Sequence, residues 1–257
     1  MDADTRADNP AAVFPSRGKS RWPARLDLLQ GATGLLLGLF MWGHMLFVSS
    51  ILISKDLMWS VTRFFEGYYF FGETYPAIVS IVVGIVTLLF IAHAMLALRK
   101  FPASYQQYHV LRLHRLQLKH SDTTLWWVQV LTGFALFFLA SPHLYQMLIH
   151  PAAIGPYGSA DRVWSYGWWP LYLALLLCVE LHGGIGLYRL ALKWGWFETG
   201  NPARTRRRLR RAKWGLTAFF LLLGILTLGA YMKIGFEHRD RVGERYAPAE
   251  AVQGPGR

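Results

Sequence analysis

Long apolar runs alternate with short polar connections along most of the chain. A helix needs about 20 apolar residues to cross hydrocarbon. Five segments meet that requirement: 27–53, 76–98, 125–149, 168–192 and 214–234. The first 20 residues are polar, and no short apolar core with a small-residue cleavage site follows them. The first run therefore reads as a span rather than a signal peptide. The connections look short, there is no internal repeat, and little chain remains for a soluble domain. Residues 1–257 are expected to form a single all-α integral membrane domain, a bundle of five transmembrane helices. A hydrophobic share of 53% fits that class rather than a soluble one.

Charge adds direction. The net charge is +12, which on its own would invite a nucleic-acid partner. The basic residues, however, alternate with the spans. Nineteen Lys and Arg fall in the N-terminal tail, the second-to-third connection and the fourth-to-fifth connection, against eight on the other side. The positive-inside bias then places the N-terminus in the cytoplasm and the C-terminus outside. The run "RTRRRLRRAK", residues 204–213, reads as a topology signal and as a docking or lipid-headgroup patch. No nucleic-acid partner is expected.

The candidate chemistry lies in the spans. Cys178 is the single cysteine, which excludes an internal disulfide, an iron–sulfur cluster and a CxxCH haem attachment. Of nine histidines, five (His109, His114, His120, His150, His238) fall in connections or tails, where a solvated imidazole is ordinary. The other four, His44, His93, His143 and His182, occupy the first four spans, one in each. At about 1.5 Å per residue, His44 stands about 25 Å from Asp27 and His143 about 27 Å from Leu125, both in the outer half. His93 is about 9 Å from Arg99 and His182 about 16 Å from Lys193 by the same rise, both nearer the inside. Depth therefore pairs His44 with His143 and His93 with His182. Two imidazoles from facing helices can clamp a planar macrocycle, so two bis-histidine haem b groups are expected. A pair without Cys or carboxylate is short of ligands for zinc or copper. The glycines of the first and fourth spans allow close approach of a porphyrin or of another helix.

The strings "GLFMWGHM", "FIAHAMLALRKFP", "SDTTLWW", "SPHLY" and "ELHGGIGLYRLALKWGWF" resemble the single-chain, di-haem cytochrome b subunits of quinol:fumarate reductases, within the succinate:quinone oxidoreductase superfamily. The likeness covers about residues 20 to 238 and includes the four spanning histidines in order. It implies a membrane anchor in a bacterial cytoplasmic (inner) membrane, with menaquinol as electron donor. It also implies a flavoprotein subunit and an iron–sulfur subunit as partners at the cytoplasmic face, and leaves a dimer of that three-subunit complex open. This chain has no dinucleotide fingerprint and no cysteine cluster, so flavin, clusters and the dicarboxylate site fall to the partners.

Two carboxylates stand out. Glu180 lies two residues before His182, which on a helix turns it about 200° away from the ligand face. It sits about 20 Å from Lys193, near mid-membrane, and reads as a packing acid or as a proton carrier that offsets electron charge. Glu66, in "TRFFEGYYFF", reads as an aromatic-belt glutamate or as the base that takes the quinol proton; the resemblance places a matching Glu here. Haem propionates would find donors in Gln30, Trp126 and Lys193 at the inner end and Arg162 and Tyr172 at the outer end, with Arg189 a further candidate. Three readings stay open: a redox-active cytochrome b, working towards fumarate or in the succinate direction; an anchor whose haem serves folding; and a transporter, although broken helices and inverted repeats are not evident.

Overall fold

The computed structural model describes residues 20–118 and 121–249. Among them the chain is helical with no strand, in the order α1 (Trp22–Val48), α2 (Lys55–Phe65), α3 (Tyr68–Phe71), α4 (Pro76–Leu98), α5 (Tyr105–Leu118), α6 (Ser121–Ile149), α7 (Pro156–Val163), α8 (Trp169–Lys193) and α9 (Pro202–Glu237). Five of these, α1, α4, α6, α8 and α9, are long and apolar enough to cross a membrane. Arg6, Arg17, Lys19, Lys119 and Arg257 of the charge count, and His120, lie outside the described residues.

The spans hold, but several boundaries move. The first helix begins five residues earlier than its apolar run, with Pro23 in its first turn, and ends in a 3₁₀ turn at Ser49–Leu52. The fifth begins at Pro202, twelve residues before its apolar stretch. Asn201 caps it by accepting from the Arg204 N–H at 3.1 Å, and Pro202 supplies a preset first-turn φ. At 36 residues α9 is about 54 Å long. That exceeds the hydrocarbon thickness, so the basic run forms helical turns beyond the apolar layer. The connections are also more ordered than a count of short loops suggests, since α2, α3, α5 and α7 all lie in them.

Packing makes a ring of four and a fifth helix outside it. α4 touches α1 and α6, α8 touches α6 and α1, and α9 lies along α8 and α1. Small residues let α9 approach. A Cβ on Gly224 would stand 2.5 Å from Leu176 Cδ1, and one on Gly184 would stand 2.6 Å from Thr217 Oγ1. Charges tie one end of the ring. Asp27 on α1 accepts from Lys100 and from Lys193 of α8. Asp122 on α6 accepts from Arg210 of α9 at 2.9 Å and from the Tyr188 hydroxyl of α8 at 3.2 Å, with Arg206 at 3.4 Å. Pairs this exposed contribute at most about 1 kcal/mol each. Their value here is geometric: they gather the basic ends of five helices at one end of the bundle.

Candidate functional site: two imidazole pairs in one cavity

The four-helix ring, with α2 and α7 at one end and α9 along one side, surrounds a mostly apolar cavity of about 1140 Å³. It extends from Gln30, Trp126 and Lys193 at the basic end to Ser159, Arg162 and Tyr172 at the opposite end. Each of α1, α4, α6 and α8 sends one histidine into it. His44 faces His143 with ring centroids 6.2 Å apart, and His93 faces His182 at 6.3 Å. A metal–imidazole bond is about 2 Å long. One ion between two such nitrogens, plus the inner half of each ring, spans a gap of this size.

Local chemistry sets which ring nitrogen is free. His182 Nδ1 lies 2.8 Å from the Gln129 carbonyl oxygen, so it must carry the proton, and Nε2 keeps its lone pair. His93 Nδ1 lies 3.2 Å from Thr33 Oγ1. The Thr33 hydroxyl donates back to the carbonyls of Leu29 and Gln30 at 2.9 and 3.1 Å, so it accepts from His93 and again leaves Nε2 free. His143 Nδ1 is 3.4 Å from the Tyr172 hydroxyl, a looser contact. His44 stacks on Phe40 at 5.8 Å. A hydrogen-bonded Nδ1 with a free Nε2 is the usual state of a metal-ligating histidine.

Glycines make room for the rings at the basic end. A Cβ on Gly34 would stand 2.8 Å from Cε1 of His93, and a Cβ on Gly133 the same distance from Cε1 of His182. Each imidazole therefore lies against bare backbone of the facing helix. Gly43, beside His44, opens onto empty space in the cavity wall. Each pair offers two nitrogens, and the described residues contain no cluster of three or more His, Cys, Asp or Glu suited to a metal ion. The donor set suits a ligand that brings its own equatorial donors rather than a bare ion.

Gln30, Trp126, Arg189 and Lys193 line the cavity at the basic end, joined by Lys100, which sequence reasoning passed over. At the other end Arg162, almost fully buried, lines the cavity beside Tyr172 and donates to the Ala153 carbonyl. The two carboxylates lie off the lining. Glu180 is 0% exposed, and neither oxygen has a hydrogen-bond partner. Its helical neighbours Leu176 and Gly184 both meet α9, so it occupies the α8–α9 seam. Glu66 caps the C-terminus of α2 and is buried, one residue beyond Phe65 and four beyond Thr62, both of which line the cavity. Burial pushes its carboxyl above the ordinary glutamate range, against the opposing charges of Arg245 and Arg63.

Three relatives identify what this arrangement belongs to. The chain is 51% identical over 240 residues to the fumarate reductase cytochrome b subunit of Wolinella succinogenes, covering 93% of this chain and 94% of the relative. The corresponding subunits of two Helicobacter pylori strains are 54% and 53% identical over 222 residues, 86% of each chain. The chain belongs to the family of fumarate reductase cytochrome b subunits. A family model described as the succinate dehydrogenase/fumarate reductase transmembrane subunit matches residues 105–229. In this cytochrome b subunit one expectation needs correction. His238 is not a solvated tail histidine. It is 2% exposed, bonded to Asp161 at 3.1 Å and stacked on Tyr157 at 3.9 Å. Lys213, counted with the basic run, is likewise buried.

Proposed function

We propose that the cavity of this cytochrome b subunit holds two haem b groups, one ligated by His44 and His143 and the other by His93 and His182. The observation that carries this reading is the pair of imidazole separations, 6.2 and 6.3 Å, each made by histidines of two different helices across one cavity. The free Nε2 atoms, the missing Cβ atoms at Gly34 and Gly133 and the apolar walls support it. The groups that would hold propionates are Gln30, Trp126, Lys100 and Lys193 at one end and Arg162 with Tyr172 at the other. Each haem supplies reversible one-electron chemistry when bound.

The residues around the cavity then divide the work. The basic end lies in the cytoplasm, by the Lys and Arg bias, and docks an iron–sulfur subunit whose flavoprotein partner reduces fumarate. Menaquinol is oxidised near the outer pair, where Glu66 accepts a proton from its hydroxyl group. Glu180, in the α8–α9 seam, holds and passes a proton inward, which would offset the charge of electrons moving between the two sites. Gln129 and Thr33 hold His182 and His93 in the tautomer that presents Nε2. Apolar walls keep water away from the line between the pairs.

Alanine at His44 or His143 should remove one of two haem components from the reduced spectrum, and alanine at His93 or His182 the other. If the His44 and His93 variants lost the same component, the pairing would be wrong. Gly133→Ala and Gly34→Ala offer a finer test. Each methyl group displaces the facing ring, so haem content of the inner site should fall while the outer component stays. Full inner-haem content in both variants would mean that these glycines do not seat the rings.

A further inference from the structure

On the C-terminal side of the bundle, α7 is seated on α9 at two points that the proposed redox role does not use. At the first, a Cβ on Gly235 would stand 2.5 Å from the Ala160 carbonyl oxygen, so the helices meet backbone to backbone. At the second, His238 Nδ1 donates to Asp161 Oδ1 at 3.1 Å, and the Gly243 N–H donates to Asp161 Oδ2 at 2.9 Å. Both members of the Asp161–His238 pair are buried, with the Tyr157 ring stacked on the imidazole at 3.9 Å and 16°. The tail continues across the same end, where Arg245 donates to the Ala152 carbonyl at 2.8 Å and Tyr246 to Asp56 at 2.5 Å. The hydrogen bond to the Asp56 carboxylate pushes the Tyr246 hydroxyl up to about 12, so the tie persists across the physiological range.

A buried carboxylate and imidazole cost desolvation that an apolar pair would avoid, and Asp161 stands beside a residue of the cavity wall. Asp161 is followed by Arg162, whose side chain is buried, donates to the Ala153 carbonyl and lines the same end of the cavity as Tyr172. Tyr172 in turn sits 3.4 Å from Nδ1 of His143. A line of residues thus runs from the tail to the outer imidazole pair: His238 bonded to Asp161, Arg162 next in the chain and in the cavity wall with Tyr172, and Tyr172 beside His143.

The geometry points to Asp161 and His238 as positioning residues that fix Arg162, and through Tyr172 the ring of His143, for the outer haem. This rests on the two-haem reading above. With the latch cut, α7 loses its seat, the Arg162 charge moves relative to the outer site, and the potential of that site alone changes.

The test is an optical redox titration of the complete three-subunit complex, following the component that His143→Ala removes. His238→Leu deletes the donor. Gly235→Ala lifts α7 by steric contact without altering either member of the Asp161–His238 hydrogen bond. Both should shift the midpoint of the outer component and leave the inner one in place. His238→Asn, which keeps an N–H donor near the position of Nδ1, should restore the wild-type value. If His238→Leu and Gly235→Ala both leave the outer midpoint unmoved, or shift both components together, the latch is only a tail anchor and the proposal fails. If His143→Ala removes no component or both, the two-haem reading itself has failed, and this proposal falls with it.

Discussion

In a Glu180→Gln variant both haem components should remain while quinol-driven fumarate reduction falls about 100-fold or more, the scale on which loss of a proton-transfer group is felt. The cause is electrostatic. Moving an electron inward against the membrane potential costs about 2.3 kcal/mol per charge per 100 mV. A proton moving with it cancels that cost. Glu180 is fully buried without a partner in the α8–α9 seam, off the cavity that would hold the haems. Glutamine there preserves volume and removes the exchangeable carboxyl proton, so proton uptake on haem reduction should diminish too. Glu180→Asp should retain part of the activity. The readout is quinol-dependent turnover beside turnover from an artificial donor to the soluble subunits, which should be unchanged. Full quinol-dependent activity in the glutamine variant would make Glu180 a packing acid.

Glu66→Gln should abolish quinol oxidation to a similar degree, about 100-fold or more, with both haems bound and the artificial-donor activity intact. The pH dependence follows from burial, which raises the Glu66 carboxyl above the ordinary glutamate value near 4.5. As a base it works only when ionised, so wild-type quinol oxidation should decline as pH falls through that raised value. The glutamine variant should lack this acid limb. Stability runs the other way. A carboxyl whose folded pKa is raised favours the folded state fully below the ordinary glutamate value, and this contribution is lost as pH rises through the folded one. Thermal unfolding of Glu66→Gln should therefore lose less stability between mildly acidic and neutral pH than the wild type. Normal quinol turnover in the variant would return Glu66 to an aromatic-belt role.

The five spans were legible because apolar length alone decides them. The depth pairing of the histidines was legible as well, since a fixed rise per residue converts sequence position into height. The start of α9 was missed although its signal was local: Asn201 followed by Pro202 is a cap and a first-turn proline, and arginines are good helix formers. Gly133 and Gln129 were out of reach. Their role depends on which face of α6 meets His182, and that is fixed only when α6 and α8 pack together. The Asp161–His238 contact joins residues 77 apart in sequence. A histidine one residue past a helix end looks solvated until a distant carboxylate is brought against it. Hydrophobic patterning locates helices, whereas partners across helices come from the tertiary ring.

The most direct test of the two-pair site is a determination of haem b per chain in the purified complex, combined with a redox titration of wild type and the His93→Ala variant. Two haems per chain, titrating as two one-electron components, with the single substitution removing one haem and one component, is the expected result. One haem per chain in the wild type, or loss of both components from His93→Ala with the protein still folded, would contradict it.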